Sequence, residues 1–390
     1  MLKHIRDWSF EELEREVTRI GGGKVPDHKS ISRFSRQLGP EVIANTPQRV
    51  IAMAQEKKLI QGRKLRVDTT VVETNIHYPT DSSLLGDGVR VLIRTMKNIG
   101  KIAGEAGIKL CDRSRSVKLR VLDIARAARS RAKQGREKLE AAYGTLLNAT
   151  SRVVGQAKRF SEEIANGTKR AQNVVKQMAL EGLRQRLDAM VPLVRQVMKQ
   201  TRARIFRGDT HVEGKVLSMF EPSTEIIRKG KAGKPNEFGK LVKLQEAENQ
   251  IVIDYEVYDR RPSDSDLLTA AIETHRAMLG RPPHIVAADA AFYSAKNEAA
   301  AKARGVKRFC IPNRSTKSVE RRREQKKRWF RNGQKWRTGC EGRISVTKRR
   351  HGLNRCRYKG DDGMRRWVGL GITADTLINI ARAKNKRAAP

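Results

Sequence analysis

The stretch Lys64-Leu65-Arg66-Val67-Asp68-Thr69-Thr70-Val71-Val72-Glu73-Thr74-Asn75-Ile76 decides how the chain is read. Its β-branched residues mark a strand, yet Asp68 interrupts Leu65, Val67, Val71 and Val72. Aspartate forms strands poorly, and its desolvation is costly unless a cation or hydrogen bonds compensate. Asp68 therefore reads either as a bend carboxylate or as a working one. Pro79-Thr80-Asp81-Ser82-Ser83 ends the strand and offers Asp81 or Ser82 as the N-cap of a following helix.

Upstream, residues 1–62 read as a small helical domain. Ser9-x-x-Glu12 resembles a capping box ahead of Leu13, Val17 and Ile20, and a second short helix opens at Asp27–Phe34. A third is expected over about 47–59, with Thr46 as N-cap and Pro47 in first position. Three such helices suit a helix-turn-helix reader of DNA and a structural cap equally well.

Downstream the period is helical from 84 to 206, where 27 basic residues face 10 acidic ones, a net +17. Apolar stripes such as Leu180, Leu183, Leu187 and Met190 predict a basic insertion built from a pair of long antiparallel helices, with room for short additions. Strand chemistry then returns. Residues 215–220 with 225–228 predict one hairpin, and 239–245 with 250–258 predict another. A helix over Ser263–Leu279, a short buried strand His284–Asp289, a helix from Ser294 to Gly305 and a strand Val306–Pro312 follow, then a helix over Thr338–His351. The fold class is α/β, divided into 1–62, strand residues 63–83, the insertion 84–206, the remaining core 207–372 and a basic tail 373–390.

The 390 residues hold 82 Lys plus Arg against 42 Asp plus Glu, a formal net charge of +40. Such an excess implies a polyanionic partner. Aromatic content of 5% argues against a nucleic-acid binder built mainly on stacking. No apolar run approaches the roughly 18 residues of a membrane helix, and the start lacks a signal peptide's apolar centre. Cys111, Cys310, Cys340 and Cys356 have no CxxC spacing, so a reducing cytoplasm is the expected compartment.

In so basic a chain the informative residues are the misplaced acids. Asp289 ends an apolar strand, where ligands bind in α/β sheets, although capping the next turn is the plain alternative. Residues 314–359 hold 18 basic and 3 acidic residues, and Glu341 is the only acid there after Glu324. Arg337, Glu341, Ser345 and Lys348 fall at steps of four, four and three, on one helix face. That row suits an ion-paired surface or a charged site. Three hard oxygen ligands from Asp68, Asp289 and Glu341 would suit two Mg²⁺ or Mn²⁺ ions better than zinc. Lys240, Arg322, Lys327 and Trp336 are further candidates for contacting nucleic acid. Asp254, Asp259, Asp264 and Asp266 are lesser alternatives for the second acid. Cys340 and the histidines 77, 211 and 351 read as non-catalytic.

These acids, in RVDTTVVETN, IVAADAAFYS and TGCEGRISVTKRRHGLNRCRYKG, resemble the three acids of bacterial insertion-sequence transposases of the DDE class. NIHYPTDSSLL, SMFEPSTEIIRKGKAG and EFGKLVKLQE resemble the ISNCY-type group in particular, and the likeness runs from about residue 27 to 372. Arg337, Glu341 and Lys348 match the Tyr-x2-Arg-x3-Glu-x6-Lys signature of related transposases, with Gln334 in the Tyr position. The resemblance implies a ribonuclease-H-like catalytic core interrupted by the helical insertion. It also implies two divalent metals held by Asp68, Asp289 and Glu341. Cleavage and strand transfer at terminal inverted repeats are the activity it implies, with double-stranded DNA and a second copy of the chain as partners on the nucleoid. A non-catalytic DNA-binding protein and a plain metal-dependent nuclease are the alternatives.

Overall fold

The computed structural model describes residues 40–104, 106–129, 135–228 and 235–388, together with Arg33 and Gln37. The first two expected N-terminal helices lie outside the described residues. The chain forms two compact units, one from residues up to Asn75 together with Glu225–Pro390, the other Ile76–Thr224.

The first unit is a six-stranded sheet flanked by helices. Its strands are β1 (Lys64–Glu73), β2 (Glu225–Arg228), β3 (Asn236–Glu246), β4 (Val252–Val257), β5 (Ile285–Ala287) and β6 (Arg308–Cys310). They lie in the order β2-β3-β1-β5-β6, with β4 also on β3. β3 runs antiparallel to β1, β2 and β4, while β1, β5 and β6 are mutually parallel. The β3–β4 hairpin and the β5-helix-β6 crossover match the expected pattern.

Among the described residues of this unit the helices are α1 (Pro40–Glu56), then, after the second unit's four, α6 (Asp264–Leu279), α7 (Ala295–Ala303), α8 (Val319–Lys326), α9 (Arg328–Arg350) and α10 (Gly360–Ala388). Alternation along β1 sends Leu65 and Val67 into one apolar cluster with Ile51, Leu268, Val286 and Phe309. Val72 goes to the opposite face, where Leu353, Met364, Val368 and Ile372 cover it. α1 starts seven residues earlier than expected, and Pro47 lies inside it. Pro40 supplies the pre-set φ that favours a first helical turn there.

Two expectations are corrected here. Residues 215–220 form no strand, and β2 pairs with β3 instead. The Gln200 side chain takes both backbone groups of Val216, accepting from N at 2.9 Å and donating to O at 3.0 Å. A side chain thus satisfies the peptide groups a partner strand would have used. Residues 373–388 are not a tail but the second half of α10. Asp375, Thr376 and Asn379 are buried on it. Arg343 of α9 donates to Asp375 Oδ1 at 2.8 Å, His351 Nε2 lies 3.3 Å from the same oxygen, and Asn379 donates to Oδ2 at 3.1 Å.

The second unit is helical: α2 (Asp81–Ala103), α3 (Ser114–Ala127), α4 (Gly135–Ala165) and α5 (Val174–Arg207). The expected long pair is α4 and α5, of 31 and 34 residues, and the additions are two further helices, α2 of 23 residues and α3 of 14. Leu92, Met96, Ile124, Leu146, Phe160 and Val194 share its core. Thr80 and Ser83 cap α2 reciprocally, Asn173 caps α5, and buried Asp81 meets Arg204 at 2.7 Å.

Asp375 and Arg343 are 1% and 5% exposed, and breaking a buried pair leaves an uncompensated charge. Asp375→Asn is expected to destabilise the sheet unit by about 3–5 kcal/mol. Asp362→Asn, on the exposed start of the same helix, should stay within about 0.5 kcal/mol of wild type. Urea unfolding followed by tryptophan fluorescence checks this, because residues 76–224 contain no tryptophan.

Candidate active site at the ends of β1 and β5

The site is organised by an arginine that the sequence places between two core residues. Arg66 leaves β1 on the face opposite Leu65 and Val67 and is almost fully buried. Its guanidinium pairs with Glu246 on the adjacent β3 strand, where the two residues stand in register. Nη1 also donates to the Trp336 carbonyl of α9 at 2.5 Å, and the guanidinium carbon lies 5.0 Å from the Trp336 ring centroid. Burial of Glu246, only partly offset by Arg66, holds its carboxyl above the usual carboxylate range.

α9 can lie this close because Gly339 faces Arg66: a Cβ there would come within 2.5 Å of Nη1. The next residue, Cys340, is fully buried beside Glu246 and within reach of the charge of Asp68. Burial first, then the charges of Glu246 and Asp68, raises its thiol well above the ordinary range. A raised thiol pKa means an inert packing sulfur.

Asp68 is half-buried on β1, its Oδ1 accepting from the Thr69 N–H at 2.8 Å. The neighbouring Thr69 hydroxyl donates to Asp264 at 3.0 Å. Asp289 stands just past β5. In the parallel register Arg66 pairs with Ala287, so Asp68 and Asp289 each lie two residues beyond that couple. Asp289 Oδ1 accepts from Ala291 N at 2.8 Å and caps the 3-10 turn Ala290–Phe292. The capping alternative thus describes its resting contact. Gln334, in the signature's Tyr position, donates to the carbonyls of Ala288 (3.3 Å) and Cys310, tying α9 to the ends of β5 and β6.

Glu341 follows Cys340, its side chain 57% exposed and paired with Arg337 at 3.0 Å. Among the described residues no three His, Cys, Asp or Glu side chains are gathered tightly enough to hold a metal ion. Asp68 inside β1 and Asp289 past the end of β5 thus follow the same paired couple, and α9, which carries Glu341, packs on both strands without closing the triad. As donors, all three are hard carboxylates suited to a divalent cation such as Mg²⁺.

The other candidates divide between surface and interior. Arg322 and Lys327 are exposed on and after α8, and Arg322 donates to Thr316 O at 3.0 Å. Lys348 is half-buried on α9. Lys240 was expected to touch phosphate, but it is 2% exposed. It donates to Asp259 O at 3.0 Å and lies 3.4 Å from Asp361 of α10, so it holds that helix to the sheet. Trp336 and Trp329 line a groove of about 540 Å³ with Lys64, Arg308, Lys327 and Arg328. Lys64 and Arg308 sit 5.6 and 5.8 Å from the respective rings. Arg66, Glu246 and Gln334 are the organising residues that sequence reasoning missed. A charged residue inside an apolar strand was the available signal for Arg66.

The two glycines flanking Glu341 should respond oppositely. Gly339→Ala overpacks against a pinned guanidinium and is expected to cost about 1–3 kcal/mol. Gly342 has open space around it, so Gly342→Ala should stabilise the helix by up to about 1 kcal/mol. Urea midpoints of the two variants measure both signs.

Comparison with known proteins adds one match. Residues 296–382 match the family model described as Transposase DDE domain, a span that begins in α7, contains α8 and α9 and ends within α10. It includes Glu341 and lies beyond Asp68 and Asp289. No curated protein and no solved structure matches the chain. The stretch that carries α9 and Glu341 is thus similar in sequence to the DDE domain of transposases.

Proposed function

We propose that this chain is a DNA transposase of the DDE class, akin to the ISNCY-type insertion-sequence group, with a ribonuclease-H-like core interrupted by the helical unit. The observation that carries the reading is that Asp68 and Asp289 each follow the paired Arg66–Ala287 couple of two adjacent parallel strands by two residues, while the helix that bears Glu341, inside the matched stretch, packs on both strands. Support also comes from the +40 charge, which suits a nucleic-acid partner.

Asp68, Asp289 and Glu341 would hold two divalent ions, Mg²⁺ or Mn²⁺. When bound, such ions make an attacking oxygen nucleophilic and stabilise the leaving one in phosphodiester displacement. The chain's own contribution is placement. Asp68 sits on β1 and Asp289 is held by the turn it caps just past β5, whereas Glu341 would reach the site by leaving Arg337. Glu341 is 57% exposed and Arg337 17%, so the glutamate is the partner with room to turn. The freed Arg337, with Lys348 on the same face, then meets the DNA backbone. Lys327, Arg322 and the Trp336 groove extend the basic surface along the bound duplex. Joining two transposon ends requires a second protomer, and terminal inverted repeats and target DNA are the substrates.

The Arg337–Glu341 pair itself favours a second reading, a DNA-binding protein without catalysis. Both readings give salt-sensitive binding, so affinity does not separate them. A labelled duplex carrying the element's end and a supercoiled target does, with Mg²⁺, Mn²⁺ or EDTA. Wild type is expected to yield joined product. Asp68→Asn, Asp289→Asn and Glu341→Gln should each lower it by about 100-fold or more, since even residues behind a metal ligand cost 10–100-fold. DNA affinity should persist in all three. Binding without joining by wild type on verified ends would leave the non-catalytic reading, and joining that survives Asp289→Asn would remove Asp289 from the site.

A further inference from the structure

The helical unit carries a basic notch of its own. A notch of about 520 Å³ lies between α4 and the loop entering α3. It is lined by Arg113, Arg152 and Arg159, with Ser151, Gln156 and Cys111. No acidic residue lines it, and none of the three guanidinium groups has an ion-pair partner among the described residues. Arginines 90, 126, 136, 184 and 204 of the same unit are paired to carboxylates; what sets the notch apart is that three unpaired ones line a single cavity without an acid. Like charges gathered this way repel each other unless an anion joins them.

Two features hold the notch in shape. With its amide oxygen toward the loop, Gln156 accepts from Cys111 N at 3.0 Å and donates to Cys111 O at 3.3 Å, clasping the loop to α4. The nearest acid in sequence, Asp112, is turned to Lys97 at 2.5 Å and to the Ser114 N–H at 2.8 Å. Lys97 in particular lowers its carboxyl pKa to about 2, so its charge is already answered. Arg113 is thereby presented to the cavity beside the α4 pair. Arg152 and Arg159 are seven residues apart on one helix, an axial separation of about 10.5 Å.

We propose that this notch binds backbone phosphates of duplex DNA, so that the helical unit grips the nucleic acid at a defined place rather than through diffuse charge. The proposal rests on the DNA-binding part of the function proposed above and is independent of the catalytic acids.

Cys111 supplies a direct reporter. It is exposed on the notch, whereas Cys310, Cys340 and Cys356 are buried, so a thiol reagent reads this place. The full-length chain is alkylated with iodoacetamide, with and without a saturating random-sequence 30-base-pair duplex. Salt dependence of duplex binding is measured in parallel for wild type, for Arg113→Gln/Arg152→Gln/Arg159→Gln, and for a charge-matched control, Lys118→Gln/Arg129→Gln/Lys138→Gln. The control residues are exposed on the same unit. The proposal expects duplex to slow Cys111 alkylation by about fivefold or more. It also expects the notch variant to flatten the log–log salt slope by about 0.9 per lost phosphate contact, up to about 2.7, while the control changes it by less than 1. Circular dichroism checks that both variants keep their helices.

Equal slopes for the notch and control variants would reduce the effect to general charge and overturn the proposal. Cys111 reacting at one rate with and without saturating duplex would overturn it as well. The catalytic reading fails separately. Wild type that protects Cys111 but never joins ends supports the notch and sinks the transposase. Wild type that joins ends with Cys111 fully reactive does the reverse.

Discussion

The buried pair of Arg66 and Glu246 is the constraint on which the candidate site depends. Each charge would cost several kcal/mol to bury alone. The two share a register position on neighbouring strands, so the strands must pair as they do for either charge to be answered. Two strands cannot use up the donors of a guanidinium, and a third partner is needed. The Trp336 carbonyl and ring supply it, and this brings α9 down onto β1 at a point where only glycine fits. Once that crossing is set, Cys340 is buried beside Glu246 and Glu341 lies next along the helix. A charge in an apolar strand thus orients a helix, and the helix delivers a carboxylate.

Much of the fold was legible because its elements are locally determined. Ser263 before and Gly280 after α6, Ser294 ahead of α7 and the apolar runs of β1, β3 and β4 all act within a few residues. The failures share a different cause. Residues 215–220 have the composition of a strand, but Gln200 occupies Val216's peptide groups, and that is decided by tertiary packing. The basic composition of 373–388 suggested a tail because Asp375 gave no sign of the buried Arg343 awaiting it.

The candidate site shows the same division. Asp68, Asp289 and Glu341 stood out because each acid contradicts its surroundings, and a local contradiction can be seen in one dimension. Lys240 misled for the converse reason. A lysine in a basic chain looks solvated, and only the fold reveals that Asp361 and the Asp259 carbonyl enclose it. Arg66 and Glu246 are 180 residues apart, and no spacing rule connects them. Gln334 similarly looks like a lost aromatic until its amide is found on the ends of β5 and β6.

The three acids also differ in mechanical character. Asp68 lies in a strand paired on both sides, and Asp289 is held by the turn it caps. Neither can travel far without breaking backbone hydrogen bonds. Glu341 has a longer side chain and stands on an exposed helix face, while its partner Arg337 is only 17% exposed. In the proposed transposase, two held carboxylates would be completed by one that must first leave its arginine. Arg337 would then have two partners of one sign to choose between, its own helix's glutamate or a phosphate. Under that proposal, DNA arrival and closure of the acids would be coupled through the single side chain of Arg337.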